Sequence, residues 1–336
     1  MRGLKWASWL LLAFLASSLW ALPGCASGIP IEEEANAFKE ETPGKQELVT
    51  VYYETQTEDY LLPVNAWVTA NGDLPRHAID KLLAGPTDGE LLKSPLPVKA
   101  VVRDLYVKNG IACLDLGGEI VEKSEELAWQ RILDSIVLTL TEFPEIDAVQ
   151  ILLDGQVVDN AEAAQLKEPL TRPDSINRLV AEDASGVETT LYFSYHDAYL
   201  VPVTVSLDPE TEDVIAATVA QLVAGPQGMP GLSPVFPEGT KLLSCEHRGE
   251  ILRLNFSSEA VLRDTKGNIR SEQSITLGAL GYTLSQFEGI ESLELLVNGE
   301  PLVVPRMKQS IPIPQTYRDW TEPATSRGNR LLSIIG

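Results

Sequence analysis

The chain has 336 residues, 44% of them hydrophobic and 22% charged, with 26 Lys and Arg against 48 Asp and Glu for a net charge of −22. That length and composition fit about two globular domains and exclude a fibrous or low-complexity protein. A field of this sign repels phosphate backbones and anionic headgroups, so no nucleic acid is expected as a partner.

The N-terminus reads as an export segment. Arg2 and Lys5 precede an uncharged apolar run from Trp6 to Leu22, which leads into Leu22-Pro23-Gly24-Cys25. A basic start, an apolar core and a small residue before the cut are the parts of a signal peptide, and the run is marginal for the ~20 apolar residues that span a membrane. Leu22 to Cys25 resembles a bacterial lipobox. That resemblance implies a lipoprotein signal peptide over 1–24 and lipidation of Cys25, for instance by palmitate. Acyl chains add roughly 0.8 kcal/mol of membrane affinity per buried CH₂, enough for stable anchoring when several are present. The expected location is the extracytoplasmic face of the cell membrane. Cleavage would remove two positive charges and no negative ones, and 24 − 48 leaves −24.

Residues 25–47, with Glu32-Glu33-Glu34 and Glu40-Glu41-Thr42-Pro43-Gly44, hold few large apolar groups and read as a flexible acidic tether. A first domain is expected over 48–160. Residues 48–55 form a β-branched and aromatic strand, and 74–84 a helix with Leu74, Ala78, Ile79, Leu82 and Leu83 on one face. Gly85-Pro86 stops that helix, with a left-handed backbone of positive φ expected at the glycine. Strands at 99–107 and 111–116 flank Asn109-Gly110, a tight hairpin signal. Trp129, Ile132, Leu133, Ile136, Val137 and Leu140 mark a second helix, and a strand at 147–153 turns at Asp154-Gly155. The order is β-α-β-β-α-β.

The same text then recurs. Leu191-Tyr192-Phe193 answers Val51-Tyr52-Tyr53, and Leu200-Val201-Pro202-Val203 answers Leu61-Leu62-Pro63-Val64. Gly225-Pro226 answers Gly85-Pro86, Thr283-Leu284-Ser285-Gln286-Phe287 answers Thr139-Leu140-Thr141-Glu142-Phe143, and Asn298-Gly299 answers Asp154-Gly155. The offset grows from 139–140 to 144 around Arg263 to Asn268, a run of turn formers. A linker over 161–186 and a second domain over 187–305 follow. In the latter, Asp208-Pro209 is expected to open a helix over 209–224, and further elements are a hairpin near Arg248-Gly249, a helix over 271–287 and a strand over 292–297. Residues 306–336 read as an irregular, Pro-containing basic tail. The fold class is α+β, two tandem two-layer modules, each with a small mixed sheet and two helices.

The search for chemistry finds no motif. His77, His196 and His247 stand alone, without a second ligand at zinc spacing. His196-Asp197 is the best dyad candidate, but it lies in a loop whose counterpart in the first module has no histidine, and a solvated loop histidine is the expected reading. Glu58-Asp59 and Glu182-Asp183 are adjacent acids that point apart in extended chain. Trp67 and Tyr52-Tyr53 could stack on sugars, although strand aromatics commonly belong to a core. Cys113 and Cys245 occupy non-equivalent places in the repeats and are expected as buried free thiols. No catalytic, cofactor-binding or metal residue is expected, and the chain reads as a non-enzyme.

The Val-Tyr-Tyr strand, Leu61-Leu62-Pro63-Val64, the ending Leu82-Leu83-Ala84-Gly85-Pro86, Ser94-Pro95 and Leu138 to Pro144 before Val149 to Gly155 together resemble the GerM domain of sporulation and spore germination proteins. The resemblance covers about 48–158 and 188–304. The second copy departs from it at Gln286 and Glu288-Gly289. It implies a membrane-tethered extracytoplasmic protein of endospore-forming bacteria, a domain similar to ring-building modules, and no catalytic residues. The implied partners are the membrane, through lipid on Cys25, and this chain itself or another envelope protein. A lipoprotein that binds cell-wall glycan or peptide is the alternative and predicts an aromatic-lined cleft between modules. A hydrolase with an unrecognised site predicts converging carboxylates.

Overall fold

The computed structural model describes residues 45–70, 72–118, 126–157, 166–178, 186–261, 273–302 and 310–319. Cys25, the expected signal peptide, most of the tether and the chain after 319 lie outside the described residues.

The first module runs β1 (Lys45–Thr55), β2 (Leu61–Ala70), α1 (Leu74–Ala84), β3 (Leu92–Lys93), β4 (Val101–Lys108), β5 (Ile111–Gly117), α2 (Glu126–Leu140), β6 (Ala148–Leu153) and β7 (Leu170–Thr171). The second repeats it as β8 (Val187–Tyr195), β9 (Tyr199–Leu207), α3 (Val214–Ala224), β10 (Leu232–Ser233), β11 (Leu242–Arg248), β12 (Ile251–Phe256), α4 (Gln273–Leu284), β13 (Ser292–Val297), β14 (Glu300–Pro301) and β15 (Ile311–Pro312).

Each module holds two small sheets where the sequence predicts one. The first is antiparallel, in the order β2-β1-β3 and its counterpart β9-β8-β10. The second is mixed: β4 pairs antiparallel with β5, β5 runs parallel to β6 through the α2 crossover, and β7 returns antiparallel on β6. β2 and β9 are the strands the periodicity misses. Leu61 to Ala66 is buried on both faces, so it shows no apolar–polar alternation, and Pro63 interrupts it.

The local chemistry explains the element ends. Asp73 caps α1, its carboxylate accepting from the Arg76 N–H at 3.2 Å. α3 begins later than Asp208-Pro209 predicts, because Asp208 accepts from the Glu210 N–H within a turn while Asp213 accepts from the Ala216 N–H at 2.9 Å and is the cap. Asn109-Gly110, Asp154-Gly155 and Asn298-Gly299 all take positive φ, the backbone of tight hairpin turns. Gly85 and Gly225 end their helices at φ 83° and 84°, as expected, but with ψ 171° and −178°. These are extended mirror-image conformations and not left-handed helical ones.

Inside, Val49, Val51, Leu62, Ile79, Leu82, Leu114, Leu133 and Ile136 pack together with little or no exposure. Leu191, Phe193, Val201, Leu222, Leu254 and Leu280 do the same in the second module, and the two sets join in one continuous cluster. Each such side chain contributes about 1.5–3 kcal/mol on burial. Beyond the two-residue pairings with β3 and β10, the outer edges of β1 and β8 are closed by side chains of the second helix of each module. The Tyr52 N–H donates to the Thr139 hydroxyl at 3.0 Å, and the Tyr192 N–H to the Thr283 hydroxyl at 3.2 Å. A free edge that would invite pairing with another chain is thereby protected.

Candidate functional site

The module seam gathers a set of paired polar groups, from the buried Asp88 and Asn65 to the half-buried Asn177 and Arg318. β2 packs against β9, so each module presents the same strand to the other. The flanking loops follow the same rule. Tyr199, in the second module, donates to the buried carboxylate of Asp88 in the first at 3.2 Å. Reciprocally, Glu58 of the first lies against Gly231 of the second. Equivalent surfaces meeting in this way make a pseudo-two-fold, isologous contact, which closes on itself.

Asn177 bolts one end of the seam. It accepts from the Leu61 N–H at 2.8 Å and donates to the carbonyls of Leu61 and Pro202 at 2.6 and 2.7 Å, joining both modules. At the other end Tyr317 stacks on Tyr282 with 4.8 Å between ring centres, and Tyr282 also meets Tyr192 at 5.5 Å. Arg318 donates to the carbonyls of Leu48 and Glu142, both at 3.2 Å.

Arg172 fills the space beside Tyr52. Its guanidinium donates to the Tyr52 hydroxyl and the Glu142 carboxylate, both at 2.9 Å, and to Thr141 and the Leu138 carbonyl. Burial opposes the charge on Arg172, yet Tyr52 and Glu142 outweigh it and hold the group firmly protonated. Burial, with Glu142 adding to it, pushes the Tyr52 hydroxyl well above the usual phenol range. Gln286, which departs from the motif, stands where Glu142 does and has different work. Its amide accepts from the Thr190 N–H and donates to the Thr190 carbonyl, extending the edge of β8.

A second cluster exists in the first module alone. Arg131 contacts Glu54 at 2.5 Å and Asp59 at 3.4 Å, while Lys93 lies 2.8 Å from Asp59 and 3.9 Å from Glu54. Burial raises the Glu54 carboxyl against the pull of Lys93 and Arg131, and the hydrogen bond from Lys93 lowers Asp59. Two acids meet two bases here, an ion-pair network of the kind that shifts carboxyl pKa values.

The other sequence candidates among the described residues stay apart, and Glu182-Asp183 lies outside the described residues. His77 sits on α1 with Nδ1 2.5 Å from the Asp73 carbonyl oxygen, and His196 lies in the β8–β9 turn at φ 51° against the edge of Tyr195. Asp197 accepts from the Ser194 hydroxyl. His247 is exposed on β11. Cys113 and Cys245 are free but only half-buried, on β5 and β11, and burial with Asp213 pushes the Cys245 thiol up to about 11. Tyr52 and Tyr53 are buried, whereas Trp67 is 54% exposed. Among the described residues no three His, Cys, Asp or Glu side chains gather as a metal site. Sequence reasoning missed Asp88, Arg172 and Asn177, which lie in loops, and Tyr317, which opens a short 3-10 helix, none of them within a motif.

Three comparisons bear on this architecture. The model of the Germane family, described as sporulation and spore germination, matches residues 50–159 and 190–303. The spore germination protein GerM of Bacillus subtilis (strain 168) is 27% identical over 267 residues, spanning 74% of this chain and 72% of that protein. The solved tandem GerMN domains of the sporulation protein GerM from Bacillus subtilis share the fold with a TM-score of 0.64 at 24% identity, over 81% of this chain and 98% of theirs.

Proposed function

The chain belongs to the Germane family of sporulation and spore germination, and from that premise we propose that it is a lipoprotein anchored through Cys25 on the extracytoplasmic face of the cell membrane. There its two modules act by protein–protein contact, with a structural or assembly role in spore formation or germination. The partner is this chain itself or another envelope protein.

The observation that carries the reading is the seam. Its buried polar groups are matched to one another across the two modules, which suits a rigid platform rather than an open cleft. Of the aromatics that could stack on sugars, Tyr52 and Tyr53 are buried and Trp67 alone is exposed, and the seam tyrosines Tyr192, Tyr282 and Tyr317 pack against one another. Outside the seam, Val101, Tyr106 and Val107 are exposed apolar side chains on the edge strand β4, an edge open to protein contact.

Acyl labelling tests the anchor. Wild-type chain should incorporate labelled palmitate and fractionate with membranes, and Cys25→Ser should accumulate as an unlabelled precursor. Equal maturation and labelling of Cys25→Ser would overturn the anchor.

A further inference from the structure

Each module is followed by a short return strand, and the segments carrying these strands are themselves copies. β7 pairs with β6 at Ala148↔Thr171, and β15 pairs with β13 at Ser292↔Pro312, the same register position of the two modules. Pro173 and Pro314 come next, both offset by 141, and then Ile176 and Tyr317 at the same offset. Ile176 and Thr204 bond twice at 2.9 Å, the Thr204 N–H to the Ile176 carbonyl and the Ile176 N–H to the Thr204 hydroxyl. The Tyr317 carbonyl accepts from the Asn65 amide at 3.4 Å. Asn65 and Thr204 are one position of the repeat, 139 apart. Each arm therefore lies along the seam and reaches the module it does not follow, Ile176 bonding Thr204 of the second and Tyr317 bonding Asn65 of the first, while Ile176 also packs on Tyr52, Leu61 and Leu138 and Tyr317 on Tyr282.

We propose that residues 311–319 form a detachable arm, and that the seat holding it accepts the same arm from a second copy of the chain. The seat is composite. Asn65 and the carbonyls of Leu48 and Glu142 come from the first module, and Tyr282 comes from the second. It recognises an aromatic side chain followed by a guanidinium: Tyr317 stacks on Tyr282 and accepts from its hydroxyl at 3.1 Å, and Arg318 bridges two main-chain carbonyls. An arm from a second copy makes the same bonds, so exchange replaces contacts one for one and concentration governs it. The isologous seam closes within one chain and cannot propagate, whereas an arm passed to a neighbour links copies without a new interface. The inference concerns the arm alone and stands whether or not Cys25 is acylated.

The test uses the full chain with a specific protease site placed within 303–309 and cut after folding. The expected result is that the cut arm co-elutes with the body and that a fluorescent peptide of residues 310–319 displaces it saturably. The same peptide with Tyr317→Ala and Arg318→Ala should bind at least tenfold more weakly. Loss of the arm on cutting with no peptide binding, or equal binding of both peptides, would overturn the seat. Uncut chains labelled on their arms with donor or acceptor dye test the second copy and remain informative if the inserted site impairs folding. Energy transfer that grows with concentration and is abolished by Tyr317→Ala with Arg318→Ala is expected, and its absence would overturn exchange between copies.

Discussion

Replacing Gly85 with alanine puts a side chain on a backbone that few residues other than glycine adopt. Gly85 closes α1 at φ 83° and ψ 171°, and its N–H donates to the Leu82 carbonyl at 3.3 Å. Gly225 closes α3 in nearly the same way. A side chain in this extended region of positive φ costs on the order of 1–3 kcal/mol. A new Cβ at Gly85 meets nothing within 4 Å, so Gly85→Ala isolates the backbone term. At Gly225 the Cβ would touch Pro234 at 3.4 Å, an ordinary contact that adds little. Were either glycine inside its helix, alanine would be favoured by about 1 kcal/mol, so the two readings differ in sign. Thermal unfolding of the full chain followed by circular dichroism decides between them. At roughly 2–4 °C per kcal/mol for a chain of this size, Tm should fall by about 2–12 °C in each variant. A rise in both would show that the helices continue through these glycines and would refute the assignment.

Asn177→Ala removes three hydrogen bonds that join β2 to β9, at about 1 kcal/mol each, so the protein should lose about 2–4 kcal/mol and its melt should separate into two transitions. An unchanged single transition would show that the seam does not depend on Asn177. Carbon-detected titration of the carboxyl groups should place the Glu54 midpoint above the ordinary 4.5 and the Asp59 midpoint below 3.8. In linkage terms, Glu54 contributes stability that is fully present below its unfolded pKa and is lost as pH rises through its raised folded value. Asp59 contributes stability present above its unfolded pKa and lost as pH falls through its lowered one. Coincident midpoints would contradict the geometry of the Lys93 and Arg131 pairs.

The duplication and the helices were legible because they rest on local chemistry: apolar spacing over Leu74 to Leu83, and Gly-Pro at each stop. Leu61 to Ala66 was not, because its two-sided burial comes from α1, β9 and the crossing segments, none of which is local in sequence. Asp208-Pro209 is a sound cap signal that serves a turn, with Asp213 five residues on doing the capping. The seam was hidden for a different reason. Arg172, Asn177, Tyr317 and Arg318 sit in the stretches read as a linker and a tail, and only the offset of 141 between Pro173 and Pro314 could have shown that these too are repeated. Asp88 has no counterpart acid, since Gly228 stands at the matching position, so repetition could not mark it.

Cross-linking in sporulating cells tests the central claim most directly. A photoreactive residue in place of Tyr106, on the exposed edge strand, should trap protein adducts with another envelope protein or a second copy of the chain. The adducts should depend on Cys25 and disappear when the lipid is lost. Adducts with glycan alone, or protein adducts of equal yield from Cys25→Ser, would contradict a membrane-anchored platform that works by protein contact.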